Sequence, residues 1–180
     1  QRQSRQSEFK ASLVGYTNAG KSSILLALSG AQEIFVENRL FATLDPLTRD
    51  VDLGDHAHVL VTDTVGFIRK LPHHLVASFR ATLEETREAN LLLHVIDASS
   101  PSWEEQRVVV DQVLDELGVK DIPKVLVFNK IDLLEHDALL ALQDRIGALV
   151  PSSVFVSSIA DGGLEPLRRT LSASIRTRRP

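Results

Sequence analysis

The 180-residue sequence has no cysteine and no methionine, and only one tryptophan and one tyrosine. Without cysteine there can be no disulfide, no thiolate metal site and no cysteine nucleophile. No apolar run nears the roughly 18 residues that a membrane-spanning helix requires, and no leader pattern opens the chain. Charge of neither sign dominates: 20 Lys+Arg against 24 Asp+Glu leave a net charge of -4. That balance argues against a domain built to grip nucleic acid through a broad basic face. The basic residues that gather in QRQSRQ and RTRRP read as short solvated tails. These absences lead to the expectation of a cytoplasmic protein with no membrane partner. Since the sequence begins at Gln1 and lacks methionine throughout, it also reads as an excised piece of something longer.

What is present is ordinary globular material, 43% hydrophobic and 24% charged, in a length that suits one domain. Apolar runs over residues 9–14, 91–98 and 124–129 are nearly continuous, as strands covered on both faces are. Residues 48–63 read as two strands joined at Gly54-Asp55, a hairpin signal. Residues 153–158 form a further strand. Helical spacing appears over 21–29, closed by Gly30, and over 73–89, with Leu75, Val76, Phe79 and Leu83 on one face. It recurs over 102–118, where Ser102 and Glu105 fit a capping box, over 137–149 despite Gly147, and in Leu164, Leu167, Leu171 and Ile175. Residues 36–49 read as a loop. Strands alternating with helices predict an α/β fold: a mostly parallel six-stranded sheet with one antiparallel edge strand and helices on both faces.

Three motifs carry chemistry. GYTNAGKS, from Gly15 to Ser22, matches G-x-x-x-x-G-K-[ST] between a strand and a helix. Its backbone N–H groups suit phosphates at the positive helix end, Lys21 reaches the outer phosphates, and the Ser22 hydroxyl suits Mg²⁺. NKID, Asn129 to Asp132, ends a buried strand on the carboxyl edge where parallel sheets bind ligands. The Asp132 carboxylate can accept from guanine N1–H and the 2-amino group, donors that adenine lacks in that arrangement. Sites of that kind discriminate by roughly 10⁴ to 10⁵. The Lys130 stem can cover the base, and Asn129 can tie this loop to the phosphate loop. In DTVG, Asp63 suits Mg²⁺ through water and the Gly66 N–H suits a γ-phosphate, so that losing the phosphate releases the loop. Thr43 in FATLDP is the candidate for both Mg²⁺ and the γ-phosphate, with Thr48 as runner-up.

The series GYTNAGKSS, LFATLDPLTR, DTVGFIRKLPHHLVASFRATLEE, NKID and SSIADGGL resembles the GTPase domain of the HflX family, within the Obg–HflX group of translation-associated GTPases. The resemblance runs from about Phe9 to the last helix. It implies a Ras-like P-loop GTPase domain over 9–180, with residues 1–8 as the tail of an N-terminal connecting helix. It also implies GTP and GDP as substrate and product, Mg²⁺ as cofactor, and the large ribosomal subunit as partner, contacted mostly through a region outside this sequence. Ribosome splitting or rescue is the implied role. Gly15, Asn18, Ala19, Gly20, Lys21, Ser22 and Ser23 then line the phosphates, and Ser157, Ser158 and Ile159 join Asn129, Lys130 and Asp132 around guanine. Leu47 and Ser158 depart from the family pattern, which has threonine and alanine there. Asn18 stands where some related GTPases hold K⁺ beside the phosphates; a favourable loop geometry explains it equally well.

The expected reaction is hydrolysis of GTP, with Lys21, Thr43 and Gly66 stabilising the transferring phosphoryl group, and Ser22, Thr43 and Asp63 around the metal. Phe67 follows the DTVG glycine where many GTPases place a glutamine that orients water; a phenyl ring cannot do so. Slow intrinsic turnover follows, stimulated by the ribosome. Arg49 and Arg69 read as solvated charges before they read as internal arginine fingers. His94 reads as a core histidine, and His73 and His74 as solvated, with no third ligand spaced for a metal. Two rivals remain: a nucleotide-gated ribosome-binding module with negligible hydrolysis of its own, and an adenine-nucleotide phosphotransferase. The isolated domain is expected to be a monomer.

Overall fold

In the computed structural model, the residues described are 8–30, 47–64, 84 and 86–178. In chain order they form β1 (Lys10–Gly15), α1 (Lys21–Ser29), β2 (Leu47–Gly54), β3 (Ala57–Asp63), β4 (Leu91–Asp97), α2 (Trp103–Glu116), β5 (Lys124–Asn129), a 3-10 turn (Ile131–Leu133), α3 (His136–Leu149), β6 (Val154–Phe155) and α4 (Glu165–Arg178). The strands make one sheet in the order β2-β3-β1-β4-β5-β6. β2 runs antiparallel to β3, and the other pairings are parallel. The expected architecture is therefore the observed one.

Side-chain alternation along the strands builds a core on each face of the sheet. Ala11, Leu13, Leu93, Val95 and Val127 face Ile24, Leu25 and Leu28 of α1 and Leu167, Leu171 and Ile175 of α4. The intervening residues point the other way. Val14 and Leu92 meet Val110 and Leu114 of α2, while Ile96, Leu126 and Phe128 meet Trp103 of α2 and Ile146 of α3. Each fully buried aliphatic or phenyl group contributes about 1.5–3 kcal/mol over exposure. Phe128 stands edge-on to Trp103, with ring centroids 5.2 Å apart, and stacks on Phe155 at 5.1 Å.

Local chemistry explains the joints. The β2–β3 turn has positive φ at Gly54, Asp55 and His56, the conformation that tight hairpins require at their centre, and the Asp52 carboxylate accepts from the Gly54 N–H at 2.8 Å. Gly30 closes α1 at φ 68°. Pro166 lies in the first turn of α4, where a missing N–H is harmless. Two expectations need correction. Ser102 does cap α2, but its side chain makes no capping bond because its backbone is not extended (φ -102°, ψ 18°). The Ser100 Oγ instead accepts from the Ser102 N–H and from Gln106 Nε2. The last strand is also shorter than 153–158: only Val154–Phe155 is strand, since the chain turns away at Ser157 to bond Gly163.

The tail over residues 1–7, most of the loop over 36–49, and most of the helix over 73–89 with its apolar face lie outside the described residues, as do Thr43, Gly66, Phe67, Arg69, His73 and His74. Among the described residues no helix is long and apolar enough to cross a membrane.

Candidate nucleotide-binding site

β1 sits between β3 on one side and β4 on the other; the chain leaves the carboxyl end of β1 toward β2 and β3 and that of β4 toward β5, in opposite directions. Such a switch point opens a crevice at the sheet's carboxyl edge. The loop from Gly15 to Gly20 lies there. Its tight turn bonds the Ala19 N–H to the Tyr16 carbonyl at 3.2 Å and holds Asn18 and Gly20 at φ 68° and 102°. Both end glycines are sterically required. A Cβ on Gly15 would lie 2.6 Å from the Val95 carbonyl oxygen, and one on Gly20 would lie 2.3 Å from Asn129 Nδ2.

Gly20 is also the N-cap of α1, with no side chain to occupy the first-turn N–H groups and no acidic residue in that turn. The helix start therefore keeps its partial positive charge for an anion. Lys21 opens the helix and is only 8% exposed. Burial holds its ammonium below the usual lysine range, and the negative charge of Asp63 partly opposes that shift. Ser22 follows, its Oγ donating to Asp63 Oδ2 at 2.8 Å, which brings the phosphate loop to the end of β3. The pair offers two hard oxygens, and among the described residues no cluster of three or more His, Cys, Asp or Glu stands anywhere. Ser23 is the third residue of α1.

β5 delivers the third segment. Asn129, 1% exposed, donates from Nδ2 to the Ala19 carbonyl at 3.2 Å and accepts the Ser158 N–H on Oδ1 at 3.3 Å. One amide thus clamps the phosphate loop, the end of β5 and the segment after β6. Lys130 reaches over the loop, its Nζ donating to the Asn18 carbonyl at 2.8 Å and to Asp97 Oδ2 at 3.1 Å. Asp132 Oδ1 accepts from the buried Ser157 Oγ at 2.7 Å, which fixes the carboxylate's orientation. Ser157 is fixed in turn, because its Oγ accepts the Ala160 N–H at 3.2 Å and a Cβ on Gly163 would lie 2.1 Å from its carbonyl oxygen. Ile159 stands 79% exposed beside this turn.

The structure thus brings together Gly15, Asn18, Ala19, Gly20, Lys21, Ser22, Asp63, Asn129, Lys130, Asp132, Ser157 and Ser158, while Thr43 and Gly66 fall outside the described residues. Thr48 goes elsewhere. Its hydroxyl pairs with that of Thr62 at 2.8 Å, and a cross-strand partner of Thr62 faces away from Asp63. Arg49 is an exposed residue of the terminal strand β2. His94 is a core residue, as expected, 1% exposed on β4. Asp97 was not foreseen; its signal is an acid at the carboxyl end of a buried strand, on the edge that binds ligands.

A phosphate loop opening α1, an aspartate ending β3 and Asn-Lys-x-Asp after β5, on one edge of this sheet, define a P-loop GTPase fold. Residues 10–130 match the family described as 50S ribosome-binding GTPase. The chain is 48% identical over 172 residues to GTPase HflX of Gluconacetobacter diazotrophicus, covering 96% of this chain and 37% of that protein. It is 46% identical over 175 residues to GTPase HflX of Escherichia coli, covering 94% and 40%. Among solved structures, a GTP-binding protein of Sulfolobus solfataricus in complex with GDP superposes with a TM-score of 0.74 at 26% identity, covering 97% of this chain and 55% of that one. The chain belongs to the 50S ribosome-binding GTPase family, in its HflX group, and spans about two-fifths of those HflX relatives' length.

Proposed function

We propose that the chain binds guanine nucleotides with Mg²⁺ and hydrolyses GTP to GDP and phosphate, working on the large ribosomal subunit. The observation that carries this reading is the Asn129 clamp. A single buried amide ties a phosphate-type loop to the end of β5, which leads into Asp132, and to the segment after β6. In the proposed complex, N–H groups of residues 18–23 hold the phosphates, and the Lys21 ammonium regains through phosphate charge what burial takes from it. Asp132, oriented by Ser157, reads the guanine edge under the Lys130 stem, with Ser158 and Ile159 beside the base. Ser22 and Asp63, with Thr43, would be the hard oxygen donors that hold Mg²⁺, and that ion would supply positive charge against the charge developing on the phosphates. The Gly66 N–H bonds the γ-phosphate. Phe67 offers no hydrogen bond to an attacking water, which favours slow turnover until a partner orients it. The same residue favours the second reading, a nucleotide-gated ribosome-binding module with negligible hydrolysis on its own.

Competition of GTP against ATP tests the base assignment, with a preference of roughly 10⁴ expected; comparable affinities would sink it. Single-turnover hydrolysis with and without large subunits tests the rest. Stimulation is expected, and a fast rate indifferent to subunits overturns the partner. Comparing KCl with NaCl decides the Asn18–K⁺ reading, which equal rates would end.

A further inference from the structure

We infer that Asp97 is a positioning residue for nucleotide binding, acting through Lys130 on the phosphate loop; the inference rests on the guanine-nucleotide reading above. Asp97 is the last residue of β4 and the register partner of Asn129 on β5. The two strand ends are further tied where the Ala98 N–H donates to the Asn129 carbonyl at 2.9 Å. Its two carboxylate oxygens have separate tasks. Oδ1 accepts from the Ser99 N–H at 2.9 Å and from Ser99 Oγ at 2.6 Å, which fixes the plane of the group. Oδ2 then accepts from Lys130 Nζ at 3.1 Å.

The same ammonium donates to the carbonyl of Asn18, a loop residue held at φ 68°. Carboxylate, ammonium and carbonyl thus form a line from β4 across the recognition strand to the phosphate loop. Lysine has a flexible stem with much rotamer freedom to lose. A carboxylate anchored at its far side, with only 19% of its side chain exposed, removes that freedom before any nucleotide arrives. Lys130 itself stands at φ 66°, an uncommon conformation for a residue with a Cβ, and the two bonds of its ammonium help hold it there. Preorganisation of this kind raises affinity by lowering the ordering cost of binding.

A double-mutant cycle on GDP binding, read with nucleotide-free melting temperatures, tests the inference. Asp97→Ala and Lys130→Ala are each expected to weaken GDP binding about tenfold, since hydrogen bonds to charged groups are worth that much. The double variant should bind within about twofold of Lys130→Ala, because both changes cut one line. Losses that multiply would show that Asp97 acts independently of Lys130 and overturn the inference. Should Asp97→Ala fail to fold, Asp97→Asn completes the cycle, since it keeps an acceptor for Ser99 and removes the charge. Its GDP affinity is expected to fall several-fold at an unchanged melting temperature, and an affinity equal to the parent's overturns the inference. A parent chain with no affinity for GDP fails at an earlier point, by overturning the nucleotide reading itself.

Discussion

Lys21 shows how a residue serves a ligand at the fold's expense. Its ammonium is buried at the mouth of α1 and held below its usual pKa by lost hydration, with Asp63 as the countercharge. Replacing a buried charge pair as a whole with apolar side chains of similar volume is often neutral or stabilising, whereas removing one partner strands the other. Lys21→Met combined with Asp63→Val is therefore expected to melt at the same or a higher temperature without nucleotide, while GDP affinity falls by at least about tenfold. Thermal melts and a binding titration check both halves; a strongly lowered melting temperature without nucleotide would assign the pair to the scaffold instead. The role of Lys21 is legible in the sequence because the glycine spacing around it is imposed by backbone geometry. Gly163 is not legible. In SSIADGGL it looks like one more loop glycine, and only the folded chain reveals the Ser157 carbonyl where its Cβ would stand. Asp97 escaped for the same reason, as its partner Lys130 is brought to it by the pairing of β4 with β5.

Among the elements, β5 links the core to the site. Phe128 is fully buried between Trp103 and Phe155, and the next residue is Asn129. Phe128→Ala is expected to cost about 3–5 kcal/mol of stability and to weaken GDP binding as well, because the strand end loses its fixed height above the loop. Denaturant titration and GDP titration measure the two effects; a full stability loss with unchanged affinity would separate core from site. Element identity was largely readable here. The central strands β1, β4 and β5 are apolar almost throughout, and Val110, Leu114, Leu167, Leu171 and Ile175 keep helical spacing. Boundaries were less so. The chain enters α2 in a conformation that keeps the Ser102 hydroxyl out of the capping bond, and the Ser100 hydroxyl accepts the Ser102 N–H instead. β6 stops early because the Ser157 N–H turns to the Gly163 carbonyl rather than to the sheet.

At the scale of the whole molecule, acid should weaken the fold through His94. The ring lies inside the α2 face of the sheet, and its pKa is lowered to about 3 from the usual 6.5. Burial is the main cause; Asp111 opposes it, and Lys124 and Arg107 add to it. Asp111 lies 3.8 Å from Nδ1 but is engaged by the Lys124 ammonium. The unfolded chain takes up a proton on this ring as pH falls below about 6.5, whereas the folded chain does not until about 3. Stability is thus lost across that window, by roughly 2 kcal/mol between pH 6.5 and 5. His94→Leu is expected to remove most of that loss. Chemical denaturation of both chains at the two pH values checks it, and an equal drop in each would exclude the ring. The sequence suggested a core histidine from its apolar neighbours, but the charges facing it come from α2 and β5, elements brought beside it only by folding.

The lone tryptophan has a consequence for observation. Trp103 is 9% exposed, lies edge-on to Phe128 and carries the Arg145 guanidinium 5.7 Å above its ring. All indole emission from this chain therefore comes from one place, two side chains from the strand end that bears Asn129. The molecule carries its own fluorophore beneath the recognition strand. A shift in its colour reports loosening of that core, with no label attached and no second indole to disentangle.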